Sequence, residues 1–75
     1  MIKMAIEKVT LPVARKIANI TQKQLASALK VSESTVIAWE KGRSEPTVIQ
    51  ARKISEVVGI PLDSIIFLPS STVKP

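Results

Sequence analysis

The sequence predicts an all-α domain of five short helices, entered through a short extended β arm and followed by a polar tail. Three observations carry this. Apolar residues recur at helical spacing in segments of about two to three turns, as in Leu25, Ala26 and Leu29 or Ala51, Ile54 and Val58. Hydroxyl residues that cap helices, Thr21, Ser32 and Thr47, precede three of the segments. Gly42, Gly59, Pro12, Pro46, Pro61 and Pro69 divide the segments from one another. With 75 residues there is room for one domain, 1–75, organised as an extended arm (1–10), a helical core (11–67) and a tail (68–75).

In the arm, Ile2, Met4 and Ile6 alternate with Lys3, Ala5 and Glu7, which suits a strand; Ile2, Ile6 and Val9 also lie at helical spacing. Pro12 favours the first turn of a helix and biases Leu11 away from helical geometry, so helix 1 is expected from near Pro12 to Ala18. Asn19 tolerates the left-handed conformation that closes a helix.

Residues 21–40, TQKQLASALKVSESTVIAWE, read as two helices joined by a tight turn. Thr21 with Gln24 three residues on makes a capping box for a helix over 22–29. Ser32 caps a helix over 33–41 that Gly42 ends, with Val36 and Trp39 one turn apart on its inner side. Pro46 blocks continuation and Thr47 caps helix 4, whose apolar stripe is expected to be Val48, Ala51, Ile54, Val57 and Val58. Gly59 ends it. Ile60-Pro61-Leu62 turns the chain, and Asp63 opens a fifth helix through Ile66 or Phe67.

Eleven Lys and Arg against six acids give a net charge of +5, which favours a polyanionic partner. There is no cysteine and no histidine, so disulfides, thiolate chemistry and the commonest metal ligand are absent from the sequence. The carboxylates Glu7, Glu45, Glu56 and Asp63 show no metal-ligand spacing, and two glycines make no phosphate loop. No enzyme, metal, cofactor or small-molecule ligand is expected. No apolar run approaches the ~20 residues of a membrane span, and a cytoplasmic, nucleoid-associated protein is expected.

Two helices locked by a tight turn leave the second projecting, with Glu33, Ser34 and Thr35 at its start, the geometry that lays a helix end into the DNA major groove. The stretch resembles the helix-turn-helix of the Cro/phage-repressor (XRE) family, a lambda-repressor-like fold. The resemblance covers residues 11–67 and rests on Arg15, Thr21-Gln22, Leu25-Ala26, Val31-Ser32, Ser34-Thr35, Trp39-Glu40, Gly42 and Pro46. One position departs: the turn residue that such proteins often fill with glycine is Lys30 here.

The resemblance implies that Gln22 contacts a DNA phosphate and that Arg15 and Glu40 form a structural ion pair between helix 1 and the end of helix 3. Base contacts are expected from Glu33, Ser34, Thr35, Ile37 and Ala38. Glu33 can accept from cytosine N4 or serve only the helix dipole, and the methyl of Thr35 can instead pack inward. Phosphate contacts are expected from Ser32, Lys41, Arg43, Ser44 and the amide of Thr47, besides Gln22; for Ser32, capping is the leading role. Trp39 is read as core rather than as a base-stacking group. Lys23 is read as solvated.

The function implied is a sequence-specific transcriptional regulator, a repressor binding double-stranded DNA as a homodimer on a palindromic operator. The alternative is an antitoxin-like or regulator-binding module on the same fold. Ile2, Met4, Ile6, Ile65 and Phe67 are the expected dimer surface, though Leu62 and Ile66 beside them can equally cap the core.

Overall fold

In the computed structural model, residues 8–67 are described. The order is β1 (Val9–Thr10), α1 (Leu11–Ile17), α2 (Gln22–Leu29), α3 (Glu33–Lys41), α4 (Val48–Val58), a 3-10 turn (Leu62–Ser64) and β2 (Ile65–Ile66). Expectations for residues 1–7 and 68–75, among them Ile2, Met4 and Ile6 at a dimer surface, lie outside the described residues.

Local chemistry sets the helix boundaries. Thr21 accepts from the Gln24 amide at 2.9 Å while its own amide donates to Gln24 Oε1 at 2.8 Å. Thr47 and Gln50 repeat this box at α4, at 3.1 and 2.8 Å. Each box satisfies two of the amides that a helix start leaves unpaired. At the other ends, Asn19, Lys30 and Gly42 close α1, α2 and α3 with φ of 62°, 61° and 79°. All three turns share one hydrogen-bond pattern. The Val31 amide reaches back to the Ala26 carbonyl and the Lys30 amide to that of Ser27; Ile20–Arg15 and Arg43–Ala38 are the equivalent long bonds. This is the Schellman arrangement, which satisfies two carbonyls near the end of each of these three helices.

The fifth helix of the sequence expectation is not formed. Four α-helices are present among the described residues, and the segment after Pro61 makes one 3-10 turn and then runs extended. The reason is local and tertiary together. Ile65 and Ile66 are β-branched and favour strand geometry, and a strand is waiting: Val9 pairs with Ile65 and Thr10 with Ile66 in a parallel ladder. The last two residues of the arm thus pair within residues 11–67, at Ile65–Ile66, while the alternation of Ile2, Met4 and Ile6 lies outside the described residues.

The core gathers Leu11, Ala14, Leu25, Ala26, Val36, Trp39, Ile54, Val58 and Ile65, with Val9, Val57 and Phe67 packed against it. Trp39 is core. Helix α4 contributes Ala51, Ile54 and Val58, but Val48, expected in that stripe, is 69% exposed beside Ile49 at 79%. Val48 is the first residue of the helix, at its outer end, where neighbouring elements no longer cover it. Ile65 needs a second correction. Expected at a dimer surface, it is 6% exposed within this chain's own core, because strand alternation turns Ile65 inward and Ile66 outward.

Candidate nucleic-acid interface

Helix α3 has two sides. Val36 and Trp39 are buried against the core. Glu33, Ser34, Ile37, Ala38 and Lys41 fall at i, i+1, i+4, i+5 and i+8, the opposite face. Of these Glu33, Ser34 and Lys41 are exposed, and Ile37 and Ala38 half-buried. The α3 start therefore offers a carboxylate, a hydroxyl and small apolar surface to solvent. Glu33 in its first turn and Lys41 in its last both suit the helix dipole.

Ser32 accepts from the Thr35 amide at 3.2 Å, and its hydroxyl lies 2.9 Å from the Thr35 hydroxyl. Capping thus occupies Ser32, and Thr35 is half-buried with its hydroxyl turned back along the helix start. Lys41, Arg43, Ser44 and Thr47 are all exposed and follow one another from the end of α3 to the start of α4. The Thr47 amide, expected to meet a phosphate, instead donates to Gln50 Oε1. The capping box fills that donor, and the Thr47 side chain caps the Gln50 amide in return.

Below the α3 start lies a cleft of about 360 Å³ lined by Arg15, Lys16, Asn19, Ile20, Thr21, Gln22 and Glu33. Two of its lining residues, Arg15 and Gln22, meet at Glu40, which lies outside the lining. Arg15 Nε donates to Glu40 Oε2 at 2.7 Å, with the two side chains 13% and 6% exposed. Arg15 Nη2 lies 3.5 Å from Glu40 Oε1, and Nη1 donates to the Ile20 carbonyl at 3.0 Å. Gln22 Nε2 donates to Glu40 Oε1 at 2.8 Å. One carboxylate thereby links α1, α2 and α3, while the guanidinium also holds the loop between α1 and α2. Arginine's planar fork makes this possible, since a lysine could not address two oxygens and a carbonyl at fixed angles. The Gln22–Glu40 bond was not legible in the sequence. The residues are 18 apart, and no local pattern links the start of one helix to the end of the next.

A protein-family model described as helix-turn-helix matches residues 13–65, most of the chain. The chain belongs to the XRE-type helix-turn-helix family. One relative of this helix-turn-helix protein, an "uncharacterized HTH-type transcriptional regulator" of Methanocaldococcus jannaschii, is 41% identical over 51 residues, which span 68% of this chain and 77% of the relative. A protein of the same description from Methanothermobacter thermautotrophicus is 42% identical over 45 residues, 60% of this chain and 65% of its own length. The matched region contains α2, the turn at Lys30 and α3. Among the described residues, no group of His, Cys, Asp and Glu could hold a metal ion, and no helix is long and apolar enough to cross a membrane.

Proposed function

We propose that this protein is a DNA-binding transcriptional regulator that lays the start of α3 in the major groove. The observation that carries the reading is the outer face of α3. Its first turn is exposed and polar, it stands on a buried Val36–Trp39 face, and exposed Lys41 and Arg43 follow at its end. Ser34 donates to or accepts from a base edge, Glu33 accepts from cytosine N4, and Ile37 and Ala38 meet a thymine methyl; Thr35 supports the helix start. Lys41, Arg43 and Ser44 take phosphates on one side, and Gln22, with its own amide in the first turn of α2, takes one on the other. The family match and the two relatives' names support the same reading.

The regulator acts as a homodimer and as a repressor that occludes a promoter. One domain reads one short half-site, whereas two rigidly joined domains read half-sites about 34–36 Å apart and gain affinity and specificity together. Apolar side chains exposed on this chain, Val13 and Ile17 on α1 and Ile66 on β2, supply surface for such pairing. Selection of bound duplexes from a random pool tests the function. A palindromic motif with two half-sites is expected. Recovery of unrelated sequences, with tight capture of another protein instead, would favour the interaction-module reading.

A further inference from the structure

We infer that Glu40 is a positioning residue for DNA binding, acting through Gln22. The inference rests on the proposed contact between Gln22 and a DNA phosphate, and it adds what fixes that side chain in place. An exposed glutamine at a helix start would sample several rotamers and two amide orientations, and ordering it on binding would cost affinity. Here the carboxamide is already held, because Nε2 donates to Glu40 Oε1 at 2.8 Å. A carboxylate only accepts, so it must be the nitrogen, and not the carbonyl oxygen, that faces Glu40. The amide orientation is therefore set by chemistry. One Nε2 proton is taken by Glu40, and the second remains to donate.

Glu40 is itself immobilised. Arg15 donates to its other oxygen at 2.7 Å and to the Ile20 carbonyl just before α2 at 3.0 Å. Arg15 also neutralises the carboxylate, which would otherwise set a bare negative charge behind a phosphate-contacting group. The order of action runs from Arg15 to Glu40 to Gln22, from the α1 side of the cleft to the α2 start. The same bond also satisfies a lone pair of the buried carboxylate, so the positioning role is read from coupling in DNA binding rather than from the contact itself.

A double-mutant cycle read in duplex binding tests this, using the full chain and a duplex recovered by selection. Glu40→Gln removes the acceptor-only oxygens and lets the Gln22 amide turn over; binding is expected to weaken about tenfold, the scale of a lost hydrogen bond to a charged group. In the Gln22→Ala background the same Glu40→Gln change is expected to weaken binding by less than about twofold, since the group it acts through is gone. Thermal melting of the four proteins is measured alongside, so that binding is compared only at a temperature where all four are folded. Equal fold-losses in binding in both backgrounds would overturn the inference and leave Glu40 purely structural. Should Glu40→Gln not fold, proton exchange of the Gln22 side-chain amide in the wild-type protein decides. One slowly exchanging proton in free protein and a second slowed by duplex is expected; two fast protons in free protein would overturn it. Failure of the wild-type chain to bind any duplex would instead sink the functional reading beneath it.

Discussion

Val9 and Ile65 lie side by side in a parallel two-residue ladder, so the segment entering α1 is tied to the segment that follows α4. The pairing places Ile65 under the helices and Ile66 toward solvent. Ile65→Ala is expected to cost about 2–4 kcal/mol, as for a buried isoleucine that leaves a cavity. Ile66→Ala should cost less than about 1 kcal/mol. Urea denaturation of both variants checks this, and equal losses would contradict the register.

The same ladder shows where the sequence was legible and where it was not. The capping box at Thr21, the caps at Ser32 and Thr47 and the ends at Lys41 and Val58 follow from residues within four positions of each other, so local reading suffices for the bounds of α2, α3 and α4. The fate of Asp63 to Phe67 depends on a strand more than fifty residues earlier, and helical spacing alone cannot see it. Val48 fails for the opposite reason, since its periodicity fits the stripe but no element covers the outer end of α4. In the site, the outward face of α3 is readable from spacing. The engagement of Gln22 by Glu40 is a matter of where side chains end, which spacing does not fix; that of the Thr47 amide by Gln50 has the same three-residue spacing as Thr21 and Gln24 and is a local signal left unread.

Lys30 holds φ at 61°, a left-handed conformation in which a side chain is strained. Lys30→Gly is expected to raise stability by about 0.5–1 kcal/mol, the relief of strain being partly offset by the freer unfolded chain. Lys30→Ala should give no such gain. Comparison of the two denaturation midpoints distinguishes conformational strain from loss of the lysine side chain.

Arg15→Ala leaves the Glu40 carboxylate in a site where it is 6% exposed, with Gln22 as its remaining donor. A loss of about 3 kcal/mol is expected. In a stability cycle with Glu40→Ala, the coupling should exceed about 1 kcal/mol. Additive losses would show that the 2.7 Å contact contributes nothing of its own.

On DNA, Ser34→Ala and Arg43→Ala should fail differently. The first is expected to relax preference at one or two base pairs by about 1–3 kcal/mol. The second should weaken all sequences alike and reduce the salt slope by about one unit. Titrating both against matched and scrambled duplexes checks the assignment, and a change of sequence preference with Arg43→Ala alone would reverse it.

The central claim, that the outer face of α3 reads DNA sequence, is met most directly by one titration of the wild-type chain. Its affinity for a selected duplex and for a scrambled duplex of equal length is measured across a salt series. The account predicts a selected-to-scrambled ratio of at least about 10³, with both affinities falling steeply as salt rises. Equal affinity for the two duplexes at every salt concentration would contradict it.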